Sequence, residues 1–253
     1  MVCYIGEMRT GPENKPSGAP FAEDLVESDV SEMHIGTGKL KELEHNPRKV
    51  VRVETFSNIR ERYNDKTEVM ELVKVAKELY CELEEEYGIP APVNFLIGQD
   101  EGGSKVVYSV VDKIEGKNLK ESETTEELAG LTQNLYASVA KYFLYKFKED
   151  EPYLWDINNP RQYVYGKKDG ERGNKIYLVD TDIYIGRGRA NMYPDIMWLA
   201  KRIVWAEKHF KTKFDEARKY IAEFLAQPLP QEISDSQKEA IENNIEVTQK
   251  FLL

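Results

Sequence analysis

Two aspartates flank a short hairpin in the stretch Glu151 to Asp182, EPYLWDINNPRQYVYGKKDGERGNKIYLVDTD. Apolar residues fill the runs Gln162 to Tyr165 and Lys175 to Val179, which read as strands. Lys167 to Asn174 between them is turn chemistry. Antiparallel strands bring together the residues before the first strand and after the second, here Asp156 and Asp180. Two carboxylates side by side at one edge of a domain suit a divalent metal and a proton acceptor. The same stretch also reads as a surface hairpin with ordinary acidic turn residues. Nearer the start of the chain, Ile35-Gly36-Thr37-Gly38-Lys39 is a glycine turn between expected strands. Such a turn lets backbone N–H groups approach a phosphate closely, although it also serves as a plain hairpin. The next strand, Lys49 to Val53, sets Arg52 among valines. A permanent cation on a buried strand requires an anionic partner.

The elements that must position these residues follow from composition and periodicity. Residues 1–30 are rich in Gly, Pro, Ser and Glu and read as an arm, with one short strand at Val2 to Ile5. Glu32 to Val53 reads as three strands, the second turn being His45-Asn46-Pro47-Arg48. Asp65 to Tyr87 is a helix with Met70, Val73, Ala76, Leu79, Tyr80 and Leu83 on one stripe. Glu71, Glu78 and Glu82 fall beside that stripe as a solvated face; Glu71, or else Glu78, is placed to pair with Arg52. Gly88-Ile-Pro-Ala-Pro ends the helix. Val93 to Ile114 gives two strands around Asp100 to Ser104, the second nearly all β-branched and therefore buried. Composition changes from β-rich to helix-rich at the connector Glu115 to Leu119. Residues 31–115 thus form one lobe and residues 116–253 a second. Helices follow over Thr124 to Lys148, Asp195 to Phe210 with Pro194 in its opening turn, Phe214 to Leu225, and Ser234 to Phe251. Ser234 and Gln237 form a capping box for the last.

Composition narrows the function classes. The 253 residues carry a formal charge of -10, which argues against non-specific binding to nucleic acid or to an anionic membrane. Cys3 and Cys81 lack metal-ligand spacing, and His34, His45 and His209 are scattered, so neither a zinc site nor a disulfide framework is expected. No apolar run reaches membrane-spanning length and no signal-peptide pattern opens the chain, so a cytoplasmic location is expected.

The order of elements from Glu32 to Phe210 resembles the protein-kinase-like superfamily, including its minimal aminoglycoside-phosphotransferase-like branch. Ile35-Gly-Thr-Gly38 looks like the start of the glycine-rich loop, with Lys41 where a third glycine stands, and Val50-Val-Arg52-Val looks like the strand V-A-I-K. The resemblance implies an α+β fold of two lobes: a small antiparallel-sheet lobe with one long helix, and a mostly helical one. It implies ATP and Mg²⁺ as nucleotide and metal. Gly36, Thr37 and Gly38 would approach the phosphates, Arg52 would grip them, and Glu71 would pair with Arg52. Asp112 and Ile114 would be the hinge positions whose backbone meets adenine. Leu154-Trp-Asp156 is similar to H-R-D, making Asp156 the catalytic base. Arg161 stands where an asparagine is expected, and a one-residue insertion would make Gln162 the amide that reaches the metal. Val179-Asp180-Thr-Asp182 is similar to D-F-G, making Asp180 the main metal ligand, with Asp182 assisting there or capping the loop. Asp195 would hold the catalytic-loop backbone.

The implied activity is transfer of the γ-phosphoryl group of ATP to a hydroxyl, on a small molecule or an unusual protein target. The short loop from Asp180 to Asp195 favours the small molecule. Lys167, Lys168, Arg172, Arg187 and Arg189 flank the site, either for an acidic or phosphorylated partner or as solvated turn residues. The alternative is a pseudokinase, the same fold kept for binding or scaffolding with little or no catalysis. A third reading is an unrelated α+β protein.

Overall fold

The structure is a computed structural model and describes residues 25–27, 39–43, 46–63, 68–99, 103–231 and 233–252. Its fold is α+β, and its described residues divide into two compact units. One comprises Met1–Val73 with Val93–Lys113, the other Lys74–Pro92 with Ile114–Leu253.

The first unit is built on a five-stranded antiparallel sheet. Its strands are β1 (Leu25–Glu27), β2 (Lys39–Leu43), β3 (Asn46–Thr55), β4 (Val93–Gln99) and β5 (Lys105–Asp112), in the order β1-β2-β3-β5-β4. Period-two alternation explains its core. Val51, Val106, Tyr108 and Val110 are buried together, with Val53 and Leu96 packed against them. Between β3 and β4 come α1 (Phe56–Arg62) and the start of α2 (Val69–Tyr87). Helix α1 was not expected from sequence; Thr55 caps it, its hydroxyl accepting from the Asn58 N–H at 3.3 Å. Strand β1 falls in the stretch read as an arm whose one short strand was placed at Val2 to Ile5, and it pairs antiparallel with β2. The expected strand at Val2 to Ile5 and the glycine turn at Gly36, Thr37 and Gly38 lie outside the described residues.

The second unit starts with the rest of α2. Gly88, at φ 65°, takes the left-handed conformation that turns the chain out of the helix, and the Ile89 N–H bonds the Leu83 carbonyl at 2.9 Å. The expected connector is a strand, β6 (Glu115–Asn118), paired with β8 (Tyr163–Lys167) and through it with β9 (Lys175–Leu178). The reason lies in Gly116 and Gly166, which face each other across the ladder. A Cβ on either would collide with the partner's backbone. Helix α3 (Glu126–Glu149), the two-residue β7 (Tyr153–Leu154), β10 (Ile185–Gly186), α4 (Met192–Phe210), α5 (Asp215–Leu225) and α6 (Asp235–Leu252) complete the unit. Ser234 and Gln237 cap α6 reciprocally: the Ser234 N–H donates to Gln237 Oε1 at 2.9 Å, and the Gln237 N–H to Ser234 Oγ at 3.3 Å.

One buried cation ties this unit together. Lys146 on α3 is 2% exposed, and its Nζ donates to Glu82 Oε2 at 2.6 Å and to Glu151 Oε2 at 2.7 Å. The acid stripe of α2 is therefore not all solvated face. Among the described residues no helix is long and apolar enough to cross a membrane.

Candidate active site

In the first unit, Arg52 lies on β3 in register with Leu40 and Ser109. Its strand neighbour Val51 is fully buried, whereas Arg52 is half-buried on the other face. Glu71 is exposed in the first turn of α2. Glu78, the alternative partner for Arg52, sits 3.9 Å from Lys74 on the helix surface. Asp112 ends β5, and its carboxylate accepts from Lys49 Nζ at 2.6 Å. The Lys113 N–H donates to the Arg48 carbonyl at 2.7 Å, and Ile114, partly exposed, is the first residue of the second unit's longer segment.

In the second unit the loop bearing Asp156 is held at several points. The Leu154 N–H donates to the Tyr142 hydroxyl at 2.8 Å, fixing β7 to α3. The Tyr163 hydroxyl donates to the Ile157 carbonyl at 2.6 Å. Asn159 caps a single tight helical turn, Pro160–Gln162, accepting from the Arg161 N–H at 3.2 Å. That turn delivers Gln162, which is 1% exposed, and Gln162 reaches in two directions. Its Nε2 donates to Asp156 Oδ2 at 2.5 Å, and its carbonyl accepts from the Val179 N–H at 2.9 Å. One residue therefore ties the Asp156 loop to the strand end that carries Asp180. This is the juxtaposition the hairpin reading expects.

The chain beyond Asp180 is anchored as firmly. Asp182 is buried, and its carbonyl accepts from the Tyr80 hydroxyl at 2.8 Å and the Tyr184 N–H at 3.0 Å. Strand β10 then pairs antiparallel with β7, Ile185 opposite Leu154, and the Trp155 N–H donates to the Tyr184 carbonyl at 3.2 Å. The loop carrying Asp180 is thereby returned to the loop carrying Asp156.

Electrostatics follow from this crowding. Burial first, and then the charge of Asp180, push the Asp156 carboxyl up to about 6. The Gln162 hydrogen bond and the charge of Arg202 hold it down, while Asp182 raises it. Asp195, on α4, is pushed up to about 7, first by burial and then by Asp156, with a Tyr153 hydrogen bond opposing. Asp195 was expected to hold the loop backbone. Its carboxylate instead meets the Tyr153 hydroxyl, and its own carbonyl accepts from Asn158 Nδ2 at 3.4 Å. The loop contact is made from a loop side chain to the Asp195 backbone, not from the loop backbone to the Asp195 carboxylate.

The donor set suits a hard cation. Gln162 Oε1 is buried without a hydrogen-bond partner. Turning the amide over would set that oxygen against the Asp156 carboxylate, so the orientation is chemically determined. An amide oxygen and two carboxylates are all-oxygen ligands, as Mg²⁺ prefers, and Mg²⁺ commonly uses only one or two carboxylates with phosphate and water. Among the described residues no group of three or more His, Cys, Asp or Glu side chains is arranged to hold a metal.

Sequence reasoning missed Tyr80, Tyr153, Asn158 and Arg202 as parts of this site. Asn158 carried a signal, two asparagines before a proline being turn chemistry. The tyrosines and Arg202 carried none, because their roles depend on contacts far along the chain. No protein-family model matches this chain, and no curated protein matches its sequence.

Proposed function

We propose that this chain is an ATP- and Mg²⁺-dependent phosphotransferase of the protein-kinase-like kind, its two units being the two lobes of that fold. The order β1-β2-β3-β5-β4, with α2 between β3 and β4, supports the small lobe. The succession α3, β7, Asp156, the β8–β9 hairpin, Asp180, β10 and α4 supports the large one. The observation that carries the reading is Gln162, whose side chain and backbone join Asp156 to the end of β9 beside Asp180.

Phosphoryl transfer asks for positioning and charge rather than covalent help. Asp156 accepts the proton of the acceptor hydroxyl as its oxygen bonds to the γ-phosphorus. The bond from that phosphorus to the bridging oxygen breaks, and the electron pair leaves with ADP. Gln162 keeps the Asp156 carboxylate oriented by donating to one of its oxygens. Arg52 is assigned to the phosphates and Glu71 to Arg52, Gly36, Thr37 and Gly38 to the phosphate loop, and Asp112 and Ile114 to adenine. Asp180 and the Gln162 amide oxygen would hold Mg²⁺, which supplies charge neutralisation on the phosphates. The test is γ-phosphoryl release or transfer from MgATP by wild type, Asp156→Asn and Asp180→Asn. A fall of about a hundredfold or more in each variant is expected; full activity in both would remove the assignment.

Asp182 favours a second reading, a pseudokinase that binds or scaffolds without transferring. It stands where the resemblance expects a glycine, and it is buried, with its backbone held by Tyr80. On that reading nucleotide raises the melting temperature little, and equally with and without Mg²⁺.

A further inference from the structure

A cavity of about 230 Å³ in the second unit has no part in the chemistry described above. It is lined by Lys120, Asn159, Pro160, Arg161, Arg202 and Trp205. Asn159, Pro160 and Arg161 belong to the same turn that presses Gln162 against Asp156. One wall of the cavity is therefore the turn that follows Asp156.

Three of the six lining side chains are cations, and no described carboxylate forms an ion pair with any of them. That is unexpected in a chain with 45 acidic residues and a formal charge of -10. Lys120 and Arg161 are exposed and Arg202 is partly buried. Nε of Arg202 is buried with no hydrogen-bond partner. A guanidinium N–H withdrawn from water without an acceptor is unfavourable, and an anionic oxygen relieves it. The Trp205 ring is stacked on His209, with centroids 5.1 Å apart and planes 14° apart, which fixes it as a flat wall. The charge of Arg202 also acts on the Asp156 carboxyl, so the cavity and the proton acceptor lie within electrostatic reach of each other.

We propose that this cavity binds a phosphate monoester carried by the phosphoryl acceptor, so that the molecule modified at Asp156 already bears a phosphate. A phosphate monoester offers nearly two negative charges and three acceptor oxygens at neutral pH. It matches three cations, two of them planar guanidinium forks, better than a single carboxylate does. What the bound molecule undergoes rests on the phosphotransferase reading; the binding itself does not.

Calorimetric titration of the 253-residue chain without nucleotide tests it. The probes are O-phosphoserine and an alanine-flanked phosphoserine pentapeptide, with serine and the unphosphorylated peptide as controls. Saturable binding of a phosphorylated probe is expected, weakened about tenfold or more in Arg161→Glu and in Arg202→Gln. Arg161 is exposed, so its variant reads the site even where Arg202→Gln disturbs folding. Equal affinity for both probes supports a small-molecule acceptor, and binding of the peptide alone supports a protein acceptor. Absence of saturable binding by either probe, or binding indifferent to Arg161→Glu, overturns the proposal. Asp156→Asn separates the two claims: probe binding persists in it, whether or not phosphoryl transfer is lost.

Discussion

Asp156 carries the greatest weight at the scale of single residues. On the proposed phosphotransferase reading its carboxyl, raised to about 6 by burial and by Asp180, must be ionised to accept a proton. The rate constant kcat/KM should therefore rise with pH through about 6 and level off above it. Gln162 stabilises the ionised form by its hydrogen bond. Gln162→Leu should move the acid limb to higher pH as well as lower the plateau. A pH–rate series on the two proteins checks both, and an unmoved limb would exclude Gln162 as the orienting donor. The approach of Asp156 to Asp180 was legible in the sequence because a hairpin with turn chemistry leaves little freedom in which residues meet at its base, whereas Gln162 was named only through the resemblance. The second role of Gln162, its carbonyl bond to Val179, was not legible, since any residue can supply a carbonyl.

Among the elements, the three-stranded sheet that carries the hairpin depends on Gly116 and Gly166. Gly116→Val sets a side chain against the Tyr165 backbone, which cannot move aside as a flexible side chain can. It should separate β6 from β8 and destabilise the protein by about 2 kcal/mol, seen as a lower urea midpoint. A Gly116→Val protein as stable as wild type would show that the β6–β8 pairing is dispensable. Lys146 anchors α3 to α2 and to the segment leading into β7. Lys146→Ala leaves Glu82 half-buried without its cation, in a position where burial already raises its carboxyl. A loss of about 3 kcal/mol is expected, also by urea unfolding, and a change near zero would mean the pair is solvated. Strands β4 and β5 and the four long helices were readable from periodicity. Helix α1 and strand β6 were not: the first is one short turn region after a strand, and the second has a glycine where a strand would ordinarily carry a side chain.

For the whole molecule, the raised carboxyls of Asp156 and Asp195 set a pH dependence of stability. Both ordinary values are 3.8, and the folded values are about 6 and about 7. The native state therefore holds protons more tightly than the unfolded chain does. The resulting stabilisation is complete below about 4 and is lost as pH rises through 6 to 7. Asp156→Asn removes the penalty of ionisation. It should be the more stable protein at pH 8 by about 1 kcal/mol, after allowance for solvent screening, and show no such gain near pH 4. Thermal melts at the two pH values decide it; a gain that is equal at both would point to packing instead of charge. A site that destabilises its own fold is expected where chemistry needs a proton acceptor near neutrality.

By itself the sequence determined the local pieces: the alternating strands of the first sheet, the helical stripes, the capping box at Ser234, and the hairpin that places Asp156 near Asp180. The strands, stripes and capping box depend on residues a few positions apart, where backbone geometry and burial of one face leave few solutions, and the hairpin on one turn between two apolar runs. Only the tertiary structure decided that Glu82 belongs to Lys146, that Tyr80 holds Asp182, and that three cations share one hollow beside the turn that carries Gln162. Those pairings join residues tens of positions apart. They are selected by which buried polar groups the assembled core leaves in need of partners, and no spacing along the chain records that.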